Sequence, residues 1–133
     1  MAGNRSRNKG QRGEREVIKL IQPIVDRVCE EVGCIPIPLE RNLIQAHKGG
    51  ADLHGLDWLA LEVKYQETEN LTAWWRQCVE QAKEHQTPIL FYRRNFVREW
   101  RVKMYGHLLI PDGPGDDRTS SFGSGALRCT VIS

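Results

Sequence analysis

At 133 residues the chain is long enough for one domain with a real core, and its 40% hydrophobic and 27% charged content is that of an ordinary globular protein. A net charge of +2 announces no polyanionic partner by itself. No apolar run approaches the roughly 20 residues that cross a bilayer, and the basic N-terminus lacks the apolar stretch of a secretory signal, so a cytoplasmic protein with no membrane partner is expected.

The distribution of charge says more than its sum. Residues 1–15 carry Arg5, Arg7, Lys9, Arg12 and Arg15 against Glu14 alone, and a second cluster runs Arg93, Arg94, Arg98, Arg101 and Lys103 with Glu99 inside it. Clustered cations suit a phosphate backbone; a solvated tail and the exposed face of a strand would look the same. The four cysteines, Cys29, Cys34, Cys78 and Cys129, form no CxxC pair and fit no zinc spacing with His47, His54, His85 or His107. They read as reduced, mostly buried thiols.

Residues 1–9 are polar and basic without periodicity, which predicts a flexible arm ahead of a domain over residues 10–110. From Gln11 a helical pattern sets in: Val17, Ile18, Ile21, Ile24, Val25, Val28 and Val32 form one apolar stripe, which Pro23 should kink or restart and Gly33 should end. Glu14 lies three, four and seven residues before Val17, Ile18 and Ile21, at the head of the core-facing side. There an acid either caps the helix or reaches a cation in the interior. Ile35, Ile37 and Leu39 suggest an edge strand despite Pro36 and Pro38, and Glu40–Lys48 reads as a continuation of it or as a loop. Gly49-Gly50 permits close backbone approach just before Asp52.

Two strands follow, about 51–54 and 58–65, joined by His54-Gly55-Leu56-Asp57. In the second, Leu59, Leu61 and Val63 make one face and Trp58, Ala60, Glu62 and Lys64 the other, as in a strand covered on both sides. Asn70 should cap the clearest helix, where Leu71, Trp74, Trp75, Cys78, Val79 and Ala82 match the helical template and Gln77 and Gln81, four apart, flank the stripe. Gln86-Thr87-Pro88 breaks it. Ile89–Tyr92 is a buried strand, Glu99–Tyr105 a half-buried one with Arg101 and Lys103 outward, and Leu108–Ile110 a short addition. Residues 111–133, rich in glycine, proline and serine, read as a loop or tail, with a return as a strand over Ala126–Ile132 left open. The whole is an α/β layout: a central mixed sheet flanked by helices.

Folded as a hairpin, the two middle strands bring Asp52 opposite Glu62, and the strand period sets Lys64 on the face of Glu62. Two acids and a lysine on one patch of sheet are costly to keep unless a cation joins them. Mg²⁺ takes one or two carboxylates and leaves room for water and phosphate, and the Val63 carbonyl lies near enough to help. Such a metal activates water, and Lys64 would orient that water or neutralise charge on an attacked phosphate. Phosphodiester hydrolysis uses all of these parts, although a surface hairpin with a cross-strand charge pair gives the same string.

Lys9-Gly10-Gln11-Arg12-Gly13-Glu14-Arg15-Glu16 opening a helix, then Gly50-Ala51-Asp52-Leu53, then Leu61-Glu62-Val63-Lys64, resembles the PD-(D/E)XK nucleases, and most of all the archaeal-type Holliday junction resolvases and their phage relatives. The likeness covers residues 9–92. Its most specific piece is the helix-opening glycine followed four residues later by Glu-Arg, and Ala51 stands where the family has proline. The resemblance implies a restriction-endonuclease-like core in the order α-β-β-β-α-β. It implies a metal, Mg²⁺ with Mn²⁺ able to substitute, held by Glu14, Asp52, Glu62 and the Val63 backbone carbonyl, with Lys64 as catalytic lysine. It implies Arg15 at the DNA or scissile phosphate and DNA contacts from Arg5, Arg7, Lys9, Arg12, Arg76 and Gln77, the last similar to a glutamine that follows the core in many such nucleases. A homodimer cutting four-way junctions follows from the same likeness, because a junction needs two paired cuts. Trp58, Trp74, Trp75 and Trp100 supply apolar surface for core or interface. A nicking, flap or restriction-type nuclease, and a DNA-binding accessory protein without catalysis, are the alternatives.

Overall fold

A computed structural model describes residues 2–43 and 50–105 together with the backbone of 119–122 and 127–132. The elements run α1 (Ala2–Val32), β1 (Glu40–Arg41), β2 (Leu53–His54), β3 (Leu59–Gln66), α2 (Leu71–Gln81), β4 (Thr87–Arg94), β5 (Trp100–Tyr105), β6 (Thr119–Phe122) and β7 (Leu127–Ile132). Among the described residues the strands form one mixed sheet in the order β1-β2-β3-β4-β5-β7-β6, parallel at β3/β4 and β5/β7 and antiparallel elsewhere. This is the expected α/β class with helices on both faces.

The period of two sorts the core. Leu61, Val63, Ile89, Phe91, Trp100 and Val102 face one way and meet Val17 and Ile21 of α1. Leu90 and Tyr92 face the other way and meet Trp74 and Cys78 of α2. Because β3 is covered on both sides, Glu62 and Lys64 lie under α2 while their strand neighbours pack against α1. Trp74 and Trp100 are core, Trp75 is half-buried and Trp58 lies exposed.

α1 begins earlier than its apolar stripe. Residues 2–9, expected as a flexible arm, are helical, so Gly10 lies inside the helix instead of opening it. Propagation costs little once a helix is nucleated, arginine and lysine favour it, and the Lys9 ammonium sits 5.0 Å from the Tyr65 ring centre. The helix also runs through Pro23, which is exposed. Gly33, at φ +70, ends it as expected. Its amide bonds Glu30 O at 3.3 Å and that of Cys34 bonds Cys29 O at 2.9 Å, the paired closure of a Schellman turn. Gly13 is buried where α1 crosses the sheet: a Cβ there would lie 3.0 Å from Tyr65 Cβ and 3.3 Å from Trp100 Cη2.

The edge strand expected over 34–39 is absent, and the first strand is Glu40–Arg41. Pro36 and Pro38 carry no N–H to pair. The Gln22 side chain serves in place of a strand: its Nε2 donates to Ile37 O at 2.9 Å and its Oε1 accepts from Leu39 N at 2.8 Å. α2 is capped by Asn70, whose side chain accepts from Ala73 N at 3.3 Å. In the stretch expected as loop or tail, Thr119–Phe122 and Leu127–Ile132 are strands, the second of them the return left open above. Residues 44–49, the strand expected at Leu108–Ile110, and the glycine- and proline-rich stretch 111–118 lie outside the described residues. Among the described residues no helix is long and apolar enough to cross a membrane.

Candidate functional site

β2 pairs with β3 through Leu53↔Leu61, which sets Asp52 opposite Glu62 as the hairpin reading requires. The Asp52 amide donates to Leu61 O at 3.0 Å. One step on, the Asp52 carboxylate takes the place of a strand, its Oδ2 accepting from Val63 N at 2.8 Å. Both main-chain groups of a strand residue point to one side, so the Val63 carbonyl leaves β3 by the edge that Asp52 occupies. Asn42 braces this arm: its amide donates to Asp52 O at 2.8 Å and its side chain to Ala51 O at 2.9 Å.

Glu62 is 2% exposed and Asp52 7%, an expensive pair to bury. A ring of polar side chains holds the glutamate. Lys64 Nζ lies 3.6 Å from Glu62 Oε1 and donates to Gln77 Oε1 at 2.8 Å. With the Gln81 amide oriented by its partners, Gln77 Nε2 donates to the Gln81 oxygen at 3.0 Å, while the Gln81 nitrogen donates to Glu62 at 2.9 Å and to Gly50 O at 2.7 Å. The circuit Glu62–Lys64–Gln77–Gln81 thus closes on itself. Helical spacing explains the pair of glutamines, since residues four apart share a face of α2.

Burial, reinforced by the Asp52 charge, pushes the Glu62 carboxyl up to about 8. At neutral pH the Glu62 carboxyl therefore holds a proton. Burial, with the same two carboxylates adding, pushes the Cys78 thiol beneath them up to about 12, so it stays protonated.

Glu14 sits on the core-facing side of α1, as its spacing requires, but twelve residues into the helix, where it caps nothing. It is half-buried and accepts from Arg41 Nε of β1. Burial raises its pKa above the ordinary value against that bond, with the charge of Asp52 adding. Among the described residues no three His, Cys, Asp or Glu side chains gather as a ready-made metal cluster. The chemistry of the donor set nevertheless fits a hard divalent cation. Two facing carboxyl groups, and a backbone carbonyl on the same edge, are the oxygen ligands such an ion takes. Glu14 would join them by exchanging Arg41 for the cation. A cavity of about 300 Å³ opens beside Gln81 and the Gly50-Ala51 arm, walled also by Asn42, His54 and Lys83; neither Asp52 nor Glu62 lines it.

The cations expected at DNA are placed unevenly. Arg5, Arg7, Arg15 and Arg76 are exposed. Arg5 and Lys9 line a groove with Tyr65 and Gln66, while Arg12 is paired with Glu16 at 3.0 Å. In the second cluster Arg94, Arg98 and Arg101 are exposed, and Lys103 sits 5.4 Å from the Trp75 ring centre. Arg93 instead turns inward. It pairs with Glu16 at 3.2 Å and lies 4.2 Å from the Tyr65 ring centre and 5.2 Å from that of Trp100. The sequence reading missed Arg41, Asn42 and Gln81. Gln81 alone left a signal, its spacing of four from Gln77; the other two owe their places to the approach of β1. The chain matches no family model, no curated protein and no solved structure.

Proposed function

We propose that this protein is a metal-dependent DNA endonuclease of the PD-(D/E)XK type, with a restriction-endonuclease-like core and branched DNA, such as a four-way junction, as substrate. The observation that carries the reading is the opposition of two buried carboxylates, Asp52 and Glu62, at an open strand edge with Lys64 3.6 Å from the second. Asp52, Glu62 and the Val63 carbonyl would hold Mg²⁺ or Mn²⁺, with Glu14 as the further acid. Bound there, the ion would polarise a phosphate and lower the pKa of water.

The remaining work falls to the chain's own groups. Lys64, fixed by Gln77, is directed along the strand toward the carboxylates and offers its ammonium to the attacked phosphate or the incoming water. Gln81 fixes the Glu62 carboxylate and so sets which oxygen faces the edge. The exposed arginines of α1 supply sequence-independent attraction for the phosphate backbone. A second copy of the chain would supply the paired cut on a junction.

The test is cleavage of a synthetic four-way junction with Mg²⁺, run beside a linear duplex and a flap at matched salt. Asp52→Asn and Lys64→Ala are each expected to slow cleavage by at least about 100-fold. Full activity in either variant would sink the nuclease reading. Activity on flap or duplex but not on junctions would keep the nuclease and move the substrate. DNA binding with neither metal binding nor cleavage would favour the accessory protein.

A further inference from the structure

The turn between β4 and β5 presents a side chain that the fold does not use. Phe96 is 104% exposed, beyond any other large apolar side chain among the described residues. Its backbone stands at φ +65, where a bulky residue is strained. The Val97 amide donates to Arg94 O at 3.3 Å, so Phe96 holds the third position of a four-residue turn, where a positive φ favours glycine or asparagine. Strain and full exposure together give the folded chain no return from this phenyl ring. An outlier of this kind points to use outside the chain.

The surroundings say what the ring would meet. Arg94 and Arg98, two residues before it and two after it in the chain, are exposed. Beside it opens a groove of about 600 Å³, walled by Glu67, Arg94, Asn95, Phe96 and Val97. The arginines attract phosphate, whereas Glu67 repels it and accepts from an amino group. A nucleobase on its backbone matches all three: a π-face for the ring, a donor edge for the acid and an anion for the arginines. The Asn95 amide bonds Gln66 O at 3.0 Å, so the tip is tied to the end of β3, two strand residues or about 7 Å beyond Lys64. Glu67 also walls the groove of Arg5 and Lys9, so the groove at the tip adjoins the one beside α1.

We propose that Phe96, flanked by Arg94 and Arg98, is a stacking platform for an unpaired or unstacked base of DNA, a few nucleotides from the scissile phosphate. This rests on the nuclease reading. It adds a residue that favours branched or distorted DNA over continuous duplex.

The test is binding without divalent metal, in an Asp52→Asn background so that no strand is cut. The ligands are a paired duplex and the same duplex with one unpaired 2-aminopurine, at one salt concentration. Phe96→Ala and Phe96→Gly are expected to weaken binding to the unpaired DNA about tenfold and to abolish the quenching of 2-aminopurine, with duplex affinity changed less than about twofold. Phe96→Trp is expected to retain both. Phe96→Gly, relieved of the positive-φ strain, is expected to melt no lower than its parent, which separates lost binding from lost folding. Equal affinities for all variants, or equal losses on both DNAs, would overturn the platform. So would a change of sedimentation in Phe96→Ala, which would assign the ring to a second copy, or binding to anionic vesicles that depends on Phe96. Parallel Mg²⁺ cleavage by the unsubstituted chain keeps the two readings apart: cleavage with no effect of Phe96 removes only the platform, and no DNA binding by the parent removes both.

Discussion

Glu62 keeps its proton to a pH at which an exposed glutamate has long lost its own, and the direction of the effect on stability follows. In the unfolded chain it ionises near 4.5, in the folded chain near 8. Between those values the folded state binds more protons than the unfolded, so this group's contribution to stability is full below about 4.5 and is lost as pH rises through about 8. Glu62→Gln mimics the protonated form at every pH. It is expected to leave stability unchanged near pH 4 and to raise it at pH 8 by more than about 1.4 kcal/mol, one pH unit's worth, as read by urea titrations at the two pH values. A divalent cation would displace the Glu62 proton, so its affinity is expected to rise with pH up to about 8, measurable by calorimetry in two buffers of different ionisation enthalpy. The opposition of Asp52 and Glu62 was legible in the sequence, because a strand alternates and a short turn fixes register. The Glu14–Arg41 pair was not: no periodicity relates a helix residue to a two-residue strand 27 positions away.

α1 shows at the scale of an element what a single missing Cβ permits. It crosses β3 and β5 at Gly13, and the nearest atoms, Tyr65 Cβ and Trp100 Cη2, belong to the sheet side of the core. Gly13→Ala gains about 1 kcal/mol of helix propensity and loses about 1–3 to overpacking, so a net loss near 1 kcal/mol is expected, a few degrees in a thermal melt. The start of α2 was readable to the residue, since its Asn70 cap and its apolar stripe agree; its end was not, the helix stopping at Gln81, five residues before the expected breaker at Gln86. The start of α1 was not, because apolar periodicity reports only the turns that pack, and residues 2–9 are helical without packing deeply. β1 was misplaced by two prolines that suppress pairing and by a glutamine whose side chain substitutes for it.

At the scale of the whole molecule Arg93 links strands of the sheet core to α1. From β4 it lies against the rings of Tyr65 in β3 and Trp100 in β5 and pairs with Glu16 of α1, which also accepts from Trp100 Nε1 at 3.2 Å. Its Nε is buried with no hydrogen-bond partner among the described residues, as expected when the flat face of the group does the packing. An ammonium cannot stack in that slot, so Arg93→Lys is expected to cost about 1–2 kcal/mol, read from the midpoint of chemical unfolding. A basic run in a sequence does not say which cation turns inward; that depends on the strand parity of Arg93 and on rings 28 positions before it and seven after. The proline run ahead of β1 bears on the molecule's life among its own copies. An unfinished sheet border recruits foreign strands and seeds fibrils. Here Pro36 and Pro38 offer no donors, and Gln22 already occupies the Ile37 carbonyl and the Leu39 amide. The stretch ahead of β1 therefore offers a foreign strand few free groups to pair with.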